Sequence, residues 1–443
     1  MKIGFISLGC PKNQVNCEQM LWQVYEAGHE IALEAEDCDI AVVNTCGFLQ
    51  EATREALDEI SRLAKLKKEG RLGKIIVVGC MAERYQNELL TLCPEGDGFV
   101  GCGSYTKIAQ IVAEVERGER PFLFEDNSAP IPETDRVVAT SDHWAFLRIA
   151  EGCDNHCSYC MIPSIRGRFR SRPREAILKE AVSLAECGIK EIIVVAQDIT
   201  RYGLDLYGRR QLTELLRDLC QVEGIEWIRL HYLYPDEIDD ALISVIAKED
   251  KILKYIDLPI QHISTPILKA MNRRGTGEEL RGLLKKLRER IPGLVIRTSL
   301  ICGFPGETEA DFEELCSFLR EYRLERAGIF AYSPEEGSQA AKLEGQVDEE
   351  VKRRRLELLT EIQLDVVDAY CEAQIGKTVT VLCEGVDALS GCFFGRSFAE
   401  SPEIDGRLYI ETEEALISGQ FYPVKIVAVE DGELFGIREG ASS

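Results

Sequence analysis

Three cysteines fall within eight residues, at Cys153, Cys157 and Cys160, in the run Glu151-Gly-Cys-Asp-Asn-His-Cys-Ser-Tyr-Cys-Met-Ile-Pro163. Cysteine thiolates are the usual ligands of iron–sulfur clusters, and a Cys-x3-Cys-x2-Cys spacing lets one short loop wrap such a cluster. A cubane 4Fe–4S cluster has one iron for each of four ligands, so three thiolates leave one iron open to a small molecule. An electron carrier needs no such opening, whereas a catalyst does. Two other readings stand beside this one. Free cysteines often serve only as small buried apolar side chains, and a zinc ion would find four ligands if His156 joined the three thiols. Structural zinc sites, however, usually clamp two separated pairs of ligands, and the chain has no second Cys-x2-Cys pair.

The loop resembles the signature of the radical S-adenosylmethionine (SAM) superfamily, with Tyr159 as the aromatic before the last cysteine. The resemblance implies that SAM chelates the open iron through its amino and carboxylate groups. One electron from the cluster then breaks a carbon–sulfur bond of SAM and leaves a 5′-deoxyadenosyl radical. Cofactors of this kind carry the hard chemistry, and the protein supplies orientation and exclusion of side reactions.

The elements that must position such a site alternate between strand and helix. Apolar runs predict strands at Lys2–Ser7, Ile40–Asn44, Lys74–Val78 and Phe99–Val100, with helices over Asn13–Ala27, Glu51–Lys68 and Thr106–Arg117. Continuous apolar strands separated by helices imply a parallel sheet covered on both faces. Cys10, Cys46 and Cys80 each follow one of these strands. In a parallel sheet such strand ends share one edge, the edge where open α/β sheets bind ligands. The pattern points to a second cluster held by three thiolates, again with one iron open; simple burial would explain any one of the three, but not the repetition. Gly9, Gly47 and Gly79 beside them allow close backbone approach.

Residues Arg120–Asp142 contain Pro121, Pro130 and Pro132 and read as a linker. The alternation then resumes, with strands at Ala145–Ala150, Glu191–Ala196, Glu226–His231, Tyr255–Leu258, Val295–Ile301 and Ala327–Tyr332. Helices are expected between them and over Asp348–Tyr370. Six such units predict a partial (βα)6 barrel with the cluster loop after its first strand, at the C-terminal mouth where these barrels place chemistry. From Gln374 onward, short strand-like runs at Thr378–Cys383, Arg407–Ile410 and Phe421–Val429, separated by Gly and Asp turns, predict a small antiparallel β-barrel. The expected fold is therefore α/β with an added β-barrel, in three domains: 1–135, 139–372 and 374–440.

The 443-residue chain is 45% hydrophobic and 29% charged, as soluble globular proteins are. No run of eighteen apolar residues exists, so no membrane partner is expected. Seventeen cysteines without a secretory signal suit a reducing cytoplasm. The formal charge of −24 disfavours a large nucleic-acid surface and a stable nucleic-acid partner. In the last segment Lys377, Arg396, Arg407, Lys425 and Arg438 are outnumbered by acids such as Glu411, Glu413, Glu414, Glu430, Asp431 and Glu433.

Two three-cysteine sets followed by a terminal β-barrel resemble the radical SAM methylthiotransferases, over nearly the whole chain. That family joins an N-terminal domain with an auxiliary cluster, a radical SAM barrel and a TRAM domain. Several stretches resemble its ribosomal-protein branch: Ser7-Leu-Gly-Cys-Pro-Lys-Asn13, the Cys153–Pro163 loop, Ile165-Arg-Gly-Arg-Phe-Arg-Ser-Arg-Pro173, Leu258-Pro-Ile-Gln-His262 and Ala399-Glu-Ser-Pro-Glu-Ile-Asp-Gly406. The tRNA branch usually has Gly-Cys-Gln-Met-Asn where this chain has Gly9-Cys-Pro-Lys-Asn13. One departure is Val15-Asn16-Cys17-Glu18, where the family usually has Val-Asp-Ser-Glu; it brings an extra thiol, Cys17, close to Cys10.

The resemblance implies two 4Fe–4S clusters, on Cys10, Cys46 and Cys80 and on Cys153, Cys157 and Cys160, together with SAM. It implies methylthio transfer to the β-carbon of an aspartate in small-subunit ribosomal protein twelve. One SAM methylates a sulfur held at the auxiliary cluster, and another yields the radical that abstracts hydrogen from the target carbon. No general base is required. Tyr159, Gln197, Asp198, Gly303 and Pro305 are the expected SAM neighbours, the last two within Gly303-Phe-Pro-Gly306, which is otherwise a plain tight turn. His262 is either a substrate contact or a packing residue. Arg166, Arg168, Arg170, Arg172 and Arg174 form an alternating basic ribbon that either steers carboxylates or pairs with the acidic surface. An electron donor such as a flavodoxin or ferredoxin is an expected partner. The alternatives are a methylthiotransferase acting on N6-isopentenyladenosine in tRNA, and a non-catalytic iron–sulfur carrier or redox sensor.

Overall fold

Residues 1–34 and 38–440 are described by a computed structural model. The first sheet comprises β1 (Lys2–Ser7), β2 (Glu30–Ala32), β3 (Ile40–Thr45), β4 (Lys74–Gly79), β5 (Gly98–Val100) and β6 (Phe122–Leu123). All are parallel, in the order β2-β1-β3-β4-β5-β6. The inner strands β3 and β4 are almost wholly buried and apolar, as a sheet covered on both faces requires. The strand order reverses direction between β1 and β3, and ligands of open α/β sheets bind outside such a switch point. Helix α1 (Pro11–Glu26) follows β1, α2 (Gln50–Lys68) follows β3, and the short α3 (Cys80–Tyr85) follows β4 directly. The linker expected over Arg120–Asp142 gives up its first residues to the sheet, because Phe122 and Leu123 pair with Phe99 and Val100 as β6.

The second sheet comprises β7 (Trp144–Arg148), β10 (Glu191–Val195), β11 (Trp227–Leu230), β12 (Ile252–Asp257), β13 (Val295–Cys302) and β14 (Arg326–Ala331). Its order is sequential, every pair is parallel, and β7 and β14 remain unpaired edges, so the barrel is partial. Between β7 and β10 lie two strands of two residues each, β8 (Ala150–Glu151) and β9 (Arg170–Ser171). They pair antiparallel, Ala150 with Ser171 and Glu151 with Arg170, and close the neck of the loop that carries Cys153, Cys157 and Cys160. Alternate residues divide the first barrel strands. Ala145 and Leu147 pack outward into the main core with the helices, while Trp144 and Phe146 pack inward with Ile193, Val195 and Val15 of α1. Helix α1 therefore belongs to both domains.

The last five strands, β15 (Thr378–Val386), β16 (Phe393–Arg396), β17 (Leu408–Glu411), β18 (Phe421–Glu430) and β19 (Glu433–Arg438), form a closed barrel. The expected antiparallel pattern holds for every pair except β17 with β19, which is parallel and completes the closure. The stretch after β16 docks onto the ends of the central strands at which β10 and β14 begin. Glu191 bonds Arg229 at 2.6 Å and Arg396 at 2.7 Å, Tyr255 donates to Asp405 at 2.7 Å, and Arg326 donates to Glu400 at 3.1 Å. Ala399 and Phe398 pack beside Leu253, Tyr255 and Val295.

Burial alone would raise the Glu191 carboxyl, but Arg229 and Arg396 hold it below the usual carboxylate range. A depressed carboxylate stabilises the fold above its unfolded value, about 4.3 for glutamate, and loses that contribution only as pH falls toward the lower folded value. Glu191→Ala leaves the buried Arg229 guanidinium without a carboxylate and Arg396 with Glu384 alone, so it is expected to cost about 3–5 kcal/mol. A denaturation midpoint lowered at neutral pH, by less at acid pH, would check this.

Candidate functional site

Cys10, Cys46 and Cys80 lie at the same edge of the first sheet. Cys10 is the N-cap residue of α1, Cys46 follows β3 and Cys80 opens α3. Asn13 ties their loops together. Its side-chain amide donates to Leu8 O at 2.8 Å and Thr45 O at 3.0 Å, and its backbone carbonyl accepts from Asn44 at 2.7 Å. Gly9 has φ +104°, and a Cβ there would come 2.9 Å from Cys46 Cβ and 3.3 Å from its Sγ, so only glycine lets the two loops meet.

Burial pushes the Cys46 thiol up to about 11, and the neighbouring Cys80 and Cys10 add to this. Cys80 is drawn down to about 6, first by a hydrogen bond from Cys102 and then, against burial, by Arg166. Cys102 is the residue that sequence reasoning missed. The signal was present, because Phe99-Val-Gly-Cys102 repeats the strand-then-cysteine pattern after β5. Cys17 stands apart: it is buried within α1, its thiol is raised to about 12 by burial, and its side-chain partner is Ser7. Cys17→Ala is therefore expected to keep the full iron content of reconstituted protein, measured per chain against the unaltered sequence.

The second thiol set hangs from the neck closed by β8 and β9. Gly152 has φ +78°, and a Cβ there would fall 2.1 Å from Arg168 O, so the neck admits no side chain. The backbone N–H of Asn155 points to Cys153 Sγ at 3.5 Å and that of Ile162 to Cys160 Sγ at 3.4 Å. Cys157 Sγ has Tyr234 Oη and Arg273 Nη1 each at 3.9 Å. Burial raises Cys153 to about 11 and Cys160 further still, and the neighbouring Cys157 adds to both. Buried thiols that disfavour one another's ionisation are relieved by a metal centre, which takes them as thiolates. The donor set thus fits an iron–sulfur cluster. His156, which the zinc reading would add as a fourth ligand, is exposed while the three thiols are partly buried.

Arg166 ties the segment after the second thiol loop to the first thiol set. It ends the helix Ile162–Arg166 that follows the cluster loop, and it is 3% exposed. Its Nε points to Cys80 Sγ at 3.2 Å, and its other nitrogens donate to Asn13 at 2.5 Å, Asn16 at 2.7 Å and Glu151 at 3.3 Å. Glu151 also accepts from Arg148 at 2.9 Å and Gln197 at 2.6 Å. Burial works against its ionisation, yet Arg166 and Arg148 hold it at about 2. On the far side Arg84, from α3, pairs with Glu335, just past β14, at 3.0 Å in a buried contact. The edge of the first sheet therefore covers the mouth of the barrel.

The other expected site residues fall into different environments. Gln197 keeps a buried, unpartnered Oε1. Asp198 anchors the cluster loop: its carboxylate accepts from Asn155 at 2.8 Å and Thr200 N at 3.0 Å. Tyr159 packs with Phe304, Tyr332 and Met271, and its hydroxyl accepts from Arg273 at 3.4 Å. The amides of Gly303 and Phe304 are both taken by Glu307, at 2.8 and 3.3 Å, and Pro305 is buried in that turn. His262 is wholly buried; Nδ1 accepts from Ser264 N at 2.9 Å and Nε2, which has no hydrogen-bond partner, lies 3.5 Å from Glu307. The basic ribbon divides likewise: Arg172 pairs with Glu133 and Glu180, and Arg174 with Asp218.

Comparison with known proteins agrees with this architecture. The Radical SAM superfamily matches residues 147–319, Uncharacterized protein family UPF0004 matches 2–101, and the TRAM domain matches 375–438. The chain is 46% identical to the ribosomal protein uS12 methylthiotransferase RimO of Lachnoclostridium phytofermentans, over 99% of this chain and all of that one. Proteins of the same description from Acetivibrio thermocellus and Geotalea uraniireducens are 43% and 44% identical, each over 98% of both chains. Among solved structures, the radical SAM methyltransferase TsrM from Kitasatospora setae shares the fold. Its form with tryptophan and a SAM analogue superposes with TM-score 0.54 at 12% identity, over 87% of this chain and 79% of that one. Identity of 43–46% to these relatives over almost the whole chain, together with the radical SAM match, makes the chain a member of the RimO family of radical SAM methylthiotransferases.

Proposed function

We propose that this enzyme adds a methylthio group to the β-carbon of an aspartate in ribosomal protein uS12. In this reading Cys10, Cys46 and Cys80 hold one 4Fe–4S cluster, and Cys153, Cys157 and Cys160 hold the other. The observation that supports it is that Arg166, at the end of the helix after the second thiol loop, reaches into the first sheet and bonds Cys80 and Asn13 there while pairing with Glu151 at the neck of that loop. When bound, the clusters and SAM supply one-electron cleavage of SAM and transfer of a methylated sulfur to a carbon radical.

The chain's own residues prepare the place for this. Strands β8 and β9 fix the neck of one thiol loop, while Asn13 and Gly9 fix the meeting of the others. Arg166 lends positive charge to Cys80, and Arg273 does so for Cys157, which hydrogen bonding to sulfur turns into control of potential. Gln197 Oε1 is a free acceptor for the amino group or a ribose hydroxyl of SAM. Tyr159, Gly303 and Pro305 meet SAM through van der Waals contact, since the amides of that turn are occupied, and Asp198 acts through the loop it anchors. Covering the mouth with the first sheet keeps water from a reactive radical.

The electron comes from a donor of the flavodoxin or ferredoxin class, and the reaction takes place in the cytoplasm. A basic ribosomal protein suits the terminal barrel better than RNA does. Two of that barrel's five cations, Arg396 and Arg438, are engaged with Glu191 and Glu384 and with Glu414. No helix among the described residues is long and apolar enough to cross a membrane. The test is anaerobic incubation of reconstituted enzyme, reductant, sulfide and SAM with either a uS12 loop peptide or bulk tRNA. Gain of a methylthio group by the peptide alone is expected; gain by tRNA alone would reverse the assignment.

A further inference from the structure

Residues 333–342, which follow β14 and Tyr332, form a strap that touches both thiol sets. Its two ends belong to the second set. Tyr332 and Ala340 pack in one apolar cluster with Tyr159, the residue before Cys160. The amide of Ala340 donates at 2.8 Å to the carbonyl of Ser158, which lies between Cys157 and Cys160. A Cβ on Gly337 would lie 3.0 Å from Met161 Cε. The middle of the strap turns to the other domain. Glu335 is 2% exposed, and its carboxylate accepts from the backbone of Gln50 at 3.0 Å and from Arg84 at 3.0 Å. The carbonyls on either side of it, of Pro334 and Glu336, accept from the side chains of Gln50 at 3.3 Å and Arg84 at 3.0 Å. Ser333 Oγ on Glu335 Oε1 and Ser338 N on Glu335 O, each at 3.0 Å, hold the bend.

Both partners of Glu335 lead to the first thiol set. Gln50 opens the 19-residue helix α2 shortly after Cys46, and the N-cap residue Leu49 supplies no side-chain cap. A carboxylate from the other domain takes the place of that cap and meets the positive end of the helix dipole. Arg84 lies on α3, the helix that Cys80 opens, and it also donates at 2.9 Å to the carbonyl of Gly47, next to Cys46. A Cβ on Gly47 would fall 2.6 Å from Met81 Cα and 2.9 Å from the carbonyl carbon of Cys80, so the loops of Cys46 and Cys80 are in backbone contact and move together. The pair is buried, Arg84 at 5% and Glu335 at 2% side-chain exposure, and removal of either partner leaves the other charge unmatched.

We propose that Glu335, paired with Arg84, is a positioning residue that fixes the spacing of the two thiol sets and so couples radical formation to methylthio transfer. The inference rests on the reading that each set holds a cluster. Arg166 and helix α1 hold the two domains elsewhere along their interface, and a single anchor leaves the first domain free to pivot. The strap is the second anchor, and its ends are fixed to the loop that carries Cys153, Cys157 and Cys160. Radical formation needs only that loop. Transfer needs both sets at a set distance, and reactions between held groups are sensitive to displacements of an ångström. The hydrogen bonds of Glu335 go to Gln50, Arg84, Ser333 and Ser338, so its loss leaves both sets of thiols complete.

The experiment uses reconstituted holoenzyme with reductant, sulfide, SAM and a uS12 loop peptide, and counts 5′-deoxyadenosine formed per methylthiolated peptide. Glu335→Ala is expected to keep iron content and SAM cleavage to within about twofold while transfer falls by about ten- to a hundredfold, so that the ratio rises by the same factor. Glu335→Gln, which keeps the length and one acceptor, should recover part of the loss. A second readout needs no peptide. In protein with both clusters reduced, spin–spin broadening of the electron paramagnetic resonance signal falls steeply with distance, and Glu335→Ala should weaken it. An unaltered ratio or an unaltered broadening overturns the inference. Loss of iron does so too, since Glu335 would then serve assembly of a site rather than spacing. Should Glu335→Ala fail to fold, Arg84→Met is read by the same two measurements and the same criteria. If the unaltered enzyme leaves the peptide unmodified, the functional reading fails, and the broadening still decides the spacing.

Discussion

Protein in which Cys153, Cys157 and Cys160 are replaced by Ala is expected to lose about half of its iron, from roughly eight atoms per chain to roughly four, and to form no 5′-deoxyadenosine. The effect is this large because the three thiols share one loop with a fixed neck. The β8–β9 pairing and the hydrogen bonds from Asn155 and Ile162 to sulfur hold the loop, and no other thiol lies in it. His156 is exposed, so it is poorly placed to substitute. The other set, on separate strands, should keep its cluster. Iron analysis and chromatography of the nucleoside product read the two effects independently. Unchanged iron in the triple variant would show that these cysteines are not ligands.

Replacing Cys10, Cys46 and Cys80 by Ala is expected to have a different outcome: about half the iron is lost, SAM is still cleaved, and methylthio transfer to the peptide falls below detection. The two sets hang from different sheets, so loss of one leaves the scaffold of the other standing. Cys102 remains beside the vacated position of Cys80, and one thiol in place of three cannot rebuild a three-thiolate site. The assay follows 5′-deoxyadenosine and peptide mass in the same reaction. Methylthiolated peptide at the unaltered rate would remove the auxiliary cluster from the mechanism.

The parallel sheets were legible in the sequence because their strands are continuous apolar runs bounded by helices. Ile40–Thr45 and Lys74–Gly79 could hardly be anything else. The convergence of Cys10, Cys46 and Cys80 followed from topology alone, since parallel strands share an edge. What stayed hidden lies in contacts between domains. Arg166 and its neighbours read as an extended basic ribbon because an arginine recurs at every second position. In the fold, Arg166 instead ends a helix and is buried by α1, whose own polar face of Asn13, Asn16, Glu18 and Gln19 is buried in turn. No periodicity marks a polar face that meets polar partners. The two-residue strands β8 and β9 are too short to leave a pattern. In the Gly303-Phe-Pro-Gly306 turn the sequence shows the small residues, but not that Glu307, just beyond it, takes the Gly303 and Phe304 amides. Ala399–Gly406, conspicuous as a motif, belongs to the docking of the terminal barrel onto the central one.

The most direct measurement places deuterium on the β-carbon of the target aspartate in a uS12 loop peptide and follows it through one anaerobic reaction with reconstituted enzyme, SAM, sulfide and reductant. Deuterium is expected in 5′-deoxyadenosine, with one methylthio group on the same residue of the peptide. Formation of unlabelled 5′-deoxyadenosine with an unmodified peptide, while tRNA in a parallel reaction gains the group, would contradict the account.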